Sequence, residues 1–248
     1  MVQTQSSHRT GDQQARAHRP ASWWRRPWII PLVLTTAWFL QHQIKPFAKV
    51  SFQEKLSPIP PHHGFPEYYP LLMAHITFGT IAMLTVILQV WPMIRVRYPV
   101  VHRWSGRLYV ISALGGGACG LAIVRFAPPV GQIGVIGSTS IWILTSAAGY
   151  VLARRRNWEL HRRFMLYSFA VVMNNVWGAL MVSAVTTWHL QPNLFMFLEA
   201  SRWVGWVVNL MAVQVWLYYT EGRALQLPSS AKSRVQPSEP RETAQVGG

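Results

Sequence analysis

The sequence predicts an all-α fold: a polytopic transmembrane helix bundle of about six spans, with both termini cytoplasmic. Two observations predict it. Six long stretches carry no charged residue, and the arginines gather in alternate segments between them. Half of the 248 residues are hydrophobic and 12% are charged, where a soluble domain carries about a quarter.

The uncharged stretches run from residue 27 to 44, 68 to 94, 108 to 124, 126 to 153, 164 to 198 and 203 to 220. Crossing a bilayer takes about 20 apolar residues in a helix, which rises 1.5 Å per residue. Inside lipid every backbone N–H and C=O needs an internal partner, so these stretches are expected as helices. A soluble core strand rarely exceeds about ten residues, and these stretches are longer. The expected spans are 28–44, 69–92, 104–124, 133–153, 163–186 and 199–219. They make up a transmembrane domain over 28–220. The first stretch is marginal, and the fifth, 164–198, is long for one helix. Residues 1–27 are a basic polar tail and 221–248 a Ser-, Pro- and Gln-rich one; both compositions favour disorder. The segment 44–68 contains five prolines and is expected as an irregular surface loop.

Segments 1–26, 95–107, 154–163 and 221–248 hold 18 of the 23 Lys and Arg. The positive-inside rule puts all four in the cytoplasm, which requires an even number of spans. The net charge of +15 is then a topology signal, and nucleic acid is not an expected partner. Membrane lipids are, with a membrane-protein partner or a second copy as a further expectation. The first apolar stretch follows a long basic leader and lacks a small-x-small cleavage site, so an uncleaved signal anchor is expected. These features imply a multi-pass protein of the bacterial inner membrane.

Lipid gives helices no hydrophobic reason to associate, so small residues and polar contacts must hold them together. Ser112, Gly116 and Gly120 recur every four residues in the third span, and Thr145 and Gly149 mark a mating surface on the fourth. The glycine face suits either helix packing or a flat ligand. Asn174 and Asn175 fall near the middle of the fifth span, where amides usually bond to a neighbouring helix.

No Asp or Glu lies between Glu67 and Glu159, or between Glu159 and Glu199. Carboxylate-dependent proton pumping and paired-carboxylate catalysis are thereby unsupported. A single Cys119 excludes an internal disulfide or a multi-cysteine metal centre. Histidine and arginine remain. His75 lies about two turns inside the second span, with Gln89 on the same face. An ionisable group there is a functional candidate, or a neutral ring held by one hydrogen bond.

Two basic segments echo each other. Arg95-Val-Arg97-Tyr-Pro-Val-Val-His102-Arg103 and Arg154-Arg-Arg156-Asn-Trp-Glu-Leu-His161-Arg162 agree at four of nine positions with an offset of 59. Each His opens an outward-running helix. Equivalent imidazoles at equal depth can hold one haem b iron between them. Equally, basic residues at this level bind lipid phosphates. Arg103, Arg107, Arg162 and Arg163 are the headgroup candidates. His62, His63 and His189 fall on the outer side with His75.

His75 with Gly79, Arg95-x-Arg97, His102-Arg103-Trp104-x-Gly106-Arg107-Leu-Tyr109, Trp142, and His161-Arg162-Arg163-Phe-Met165 together resemble a family of predicted bacterial multi-pass membrane proteins, a domain of unknown function. The resemblance covers residues 70–185. It differs from the family pattern at Phe164, where Trp is usual, and around Tyr167, where arginine is common. It implies a multi-pass topology and singles out His75, His102 and His161. It implies no established activity. Two functional readings follow from the residues. One is a haem-binding or redox-linked protein, laid out like the cytochrome b561-like four-helix cores. The other is a small permease or a structural subunit of a membrane complex.

Overall fold

The computed structural model describes residues 29–48, 64–127 and 129–221. Both predicted tails and most of the proline-rich loop, with His62 and His63, lie outside the described residues. Among the described residues every regular element is helical. In chain order they are α1 (Ile29–Ala48), α2 (Tyr68–Val90), α3 (Pro92–Arg97), α4 (Pro99–Ile123), a 3-10 turn (Val124–Phe126), α5 (Gln132–Arg154), α6 (Trp158–Val172), α7 (Asn174–Thr187) and α8 (Leu194–Tyr219).

Four helical segments are long and apolar enough to cross a membrane: Tyr68–Val90, Pro99–Phe126, Gln132–Arg154 and Trp158–Thr187. Their surfaces face outward to a degree unknown in soluble cores. Leu144 is 67% exposed, Ile111 61% and Ile133 73%. Contiguous apolar surface of that kind needs a partner, and lipid is the natural one. The apolar part of α1, Ile29–His42, is shorter than a full crossing. Helix α8 is long enough, but Glu199, Arg202, two asparagine or glutamine side chains and its indoles dilute its apolar character.

The element ends follow local chemistry. Pro92 and Pro99 open α3 and α4, where a missing N–H costs nothing. The short α3 turns the chain between α2 and α4, a segment expected to be loop. Asn157 caps α6 by accepting from Leu160 N at 3.2 Å, and Asn193 caps α8 by accepting from Met196 N at 3.1 Å. Helix α5 ends in a Schellman pattern. Asn157 N donates to Leu152 O and Arg156 N to Ala153 O, with Arg156 left-handed at φ 60°.

The fifth predicted span is two helices, broken at Met173. No proline or glycine causes the break. Ala170 O, in the last turn of α6, accepts Asn209 Nδ2 from α8 at 2.9 Å. A side chain from another helix has entered the ladder there, which is a recognised cause of kinks.

Helix α2 packs along α4, and α5 along α6, and these two hairpins face each other through α4 and α5. Helix α8 lies against α5, α6 and α7, and α1 against α2 and α7. The glycines set how closely the helices approach. A Cβ on Gly117 would fall 2.5 Å from Ile143 of α5, and one on Gly149 would meet Met165 of α6. The predicted glycine face of α4 is thus filled by helix packing. At the far end of the core Arg125, the lone charge between Arg107 and Arg154, has its guanidinium 4.6 Å from the Phe65 ring centre and 4.7 Å from that of Phe126.

Candidate functional site

The polar chemistry of the core divides into three places. The first is around His75 in α2. Its Nδ1 is 2.7 Å from Gly116 O in α4. A carbonyl only accepts, so Nδ1 carries the proton, and in the neutral ring Nε2 holds the lone pair. The ring sits over Gly120, where a Cβ would come within 2.9 Å of Nδ1. Glycine at that position is what makes room for the imidazole.

The second place is the opposite end of α2. Gln89 is 14 residues beyond His75, about 21 Å along the helix. Its amide nitrogen donates to His102 O at 2.9 Å and to Ser105 Oγ at 2.6 Å. His102 is half-buried in the first turn of α4, and its Nδ1 is buried without a hydrogen-bond partner among the described residues. Arg95, Arg103 and His161 lie close enough to act on it electrostatically. His161, at the equivalent point of α6, is also half-buried, and its Nδ1 donates to Gly149 O of α5 at 2.7 Å. Trp158 packs edge-on against its ring at 6.3 Å. Trp91 Nε1, between α2 and α3, is likewise buried with no partner among the described residues.

His102 and His161 thus lie at one end of the core within electrostatic range of each other, and His75 lies at the other end. Of the four headgroup candidates, Arg103, Arg107 and Arg163 are exposed and Arg162 is half-buried. They point to different partners. Arg107 stacks 5.0 Å over Trp104, while Arg163 Nε donates to Tyr167 at 3.1 Å. Among the described residues no group of three His, Cys, Asp or Glu is arranged to hold a metal ion.

The third place was not anticipated from the sequence. Tyr109 of α4 is fully buried, and its hydroxyl meets Ser168 Oγ of α6 at 2.5 Å. Trp142 Nε1 of α5 donates to the same hydroxyl at 3.1 Å. Ser146 Oγ lies 2.6 Å from Ser168 Oγ and 2.7 Å from Trp142 O. Four side chains from three helices thus satisfy one another in the middle of the core. Tyr109 and Trp142, singled out above only through the family resemblance, both belong to this network. One signal was available. Tyr109 and Ser168 are separated by 59 residues, the same offset as His102 and His161.

Four helices long and apolar enough to cross a membrane, with half-buried imidazoles at either end of their core and a separate hydroxyl network between, mark a polytopic α-helical membrane protein. The chain belongs to the family described as predicted membrane protein, DUF2306, whose pattern matches residues 72–217. No curated protein and no solved structure matches it.

Proposed function

We propose that the chain is a six-span protein of the bacterial inner membrane, termini cytoplasmic, that holds haem b through His102 and His161 as a redox centre at its cytoplasmic end. The observation that carries this reading is the equivalent imidazole pair with a nitrogen to spare. Leaving a buried ring nitrogen unpartnered costs about 1–3 kcal/mol. His102 Nδ1 and Trp91 Nε1 both stand in that condition at one end of one bundle. His161, by contrast, has its Nδ1 committed to Gly149 O. That arrangement fixes the ring and leaves Nε2 as the ligand atom, as metal-bound imidazoles commonly require.

The donor set fits haem. If haem were bound, the His102 and His161 rings would hold it and the nearby arginines would offset the charge of its propionates. Haem held there would supply a one-electron couple. The protein's own part is to orient two rings from two helices, keep them neutral, and cover them with Trp158 and Gln89. His75 stands outside this pair and locks α2 to α4.

An absorption spectrum of the detergent-purified protein tests the proposal. A Soret band that is lost in His102→Ala and in His161→Ala, and kept in His75→Ala, is the expected result. A colourless, iron-free preparation overturns the haem reading in favour of the permease or structural subunit.

A further inference from the structure

We infer that the outer face of α5, α6 and α8 is a binding site for one anionic phospholipid of the inner leaflet, with its phosphate on Arg163 and an acyl chain in the groove beyond. The inference rests on the membrane placement of the bundle and is independent of the haem reading. A groove of about 360 Å³ opens on this face, lined by Ile141, Thr145, Tyr167, Leu210, Met211 and Gln214. Its polarity is graded along the membrane normal. At the arginine-rich end Arg163 Nε donates to Tyr167 Oη at 3.1 Å, and Tyr167 Oη donates to Gln214 Oε1 at 2.5 Å. This relay engages Nε and steadies the guanidinium at the mouth of the groove, where Glu159 and Glu221 also act on it electrostatically; its planar fork is suited to phosphate oxygens.

Deeper in, the groove becomes apolar. Thr145 bonds its own hydroxyl back to Ile141 O at 2.6 Å, so it presents a methyl rather than a donor. Thr145 and Ile141 lie nine and 13 residues before Arg154 on α5, about 14 and 20 Å along the helix. One leaflet of hydrocarbon is about 15 Å deep, so the groove follows an acyl chain from its glycerol end toward the midplane. Charge selects the headgroup. Residues 154–163 carry five arginines and one glutamate, and a neutral headgroup would leave that charge without a counterpart.

The full-length protein, purified in neutral detergent and stripped of lipid, provides the test. It is titrated with dioleoyl phosphatidylglycerol or dioleoyl phosphatidylcholine, and bound lipid is counted by native mass spectrometry. Phosphatidylglycerol is expected to occupy one site about fivefold more tightly than phosphatidylcholine. Arg163→Gln should abolish that preference, whereas Arg107→Gln, on another face, should leave it intact. Leu210→Trp, which fills the groove, should weaken the binding of both lipids. Dihexanoyl phosphatidylglycerol, with the headgroup but little chain, should bind more weakly than the dioleoyl form. Equal binding of the two headgroups to the wild type, or a preference that survives Arg163→Gln, overturns the assignment. Chain-length independence, or unchanged binding to Leu210→Trp, overturns the groove as the acyl site.

Discussion

At the residue scale the core depends on polar side chains that satisfy each other away from water. The Tyr109 hydroxyl is the hub: it receives Trp142 Nε1–H and meets Ser168. Tyr109→Phe keeps the ring and its edge-on contact with Phe169 at 4.9 Å but strands the indole N–H. In hydrocarbon no water replaces the lost acceptor. We expect Tyr109→Phe to cost about 1–2 kcal/mol and Ser168→Ala less, about 0.6 kcal/mol, because Ser146 and Tyr109 can then turn toward each other. Thermal unfolding in detergent, followed by intrinsic fluorescence, measures both; a Tyr109→Phe protein as stable as wild type would show that the hydroxyl contributes nothing. Little of this was legible in the sequence beyond the offset of 59 that Tyr109 and Ser168 share with His102 and His161. Serine and tyrosine scattered through an apolar helix barely alter its hydropathy, and only the third dimension shows that they converge. The histidines were legible, because an ionisable ring in a charge-free stretch is rare. Their pairing by depth was legible too, from the offset of 59 between the two basic segments; what the sequence could not supply was the partner of each ring, Gly116 O for His75 and Gly149 O for His161.

At the element scale glycine decides how near two helices come, and the decision is local to each glycine. Gly79 of α2 and Gly120 of α4 belong to the two helices of one seam but differ completely in surroundings. A Cβ at Gly120 would press on the His75 ring at 2.9–3.0 Å, whereas a Cβ at Gly79 would meet nothing within 4 Å. Gly120→Ala must displace the imidazole and loosen its bond to Gly116 O, so a loss of about 1–3 kcal/mol is expected. Gly79→Ala should be neutral or raise stability by up to about 1 kcal/mol, since alanine is the better helix former. Parallel melting curves of the two variants check the pair; equal effects would mean that the seam adjusts freely. The four-residue stripe Ser112, Gly116, Gly120 was readable as a packing face, and it is one. The break at Met173 was not readable. It arises where Asn209 of α8 reaches Ala170 O, and a kink made by a distant side chain leaves no proline or glycine behind in its own helix.

At the scale of the whole molecule the two matching basic segments explain why the two ends differ. Helices α4 and α6 both begin beside an arginine-rich turn with His102 and His161, so one end collects positive charge and paired imidazoles. The other end carries Arg125 covered by Phe65 and Phe126, and a left-handed Gly131 turn. The existence of the helices was legible, because a charge-free stretch in lipid has one backbone solution, but α4, α6 and α8 each begin five residues before the expected span, and the polar and basic first turns of α4 and α6 remain helical. The crossing status of α1 and α8 was less so: 14 apolar residues in one, and indoles with Glu199 and Arg202 in the other, fall short of the plain hydropathy of the central four. The six-span proposal needs both helices to cross, since only then can segments 1–26, 95–107, 154–163 and 221–248 share a side. Alkaline phosphatase fused after Pro129 or Pro192 should therefore be active, and green fluorescent protein fused after Arg156 or Arg223 should fluoresce. Were the fusion at Arg223 to report the opposite side from that at Arg156, α8 would lie along the membrane rather than through it. The face it shares with α5 and α6 would then have no reason to run from an arginine mouth into an apolar groove.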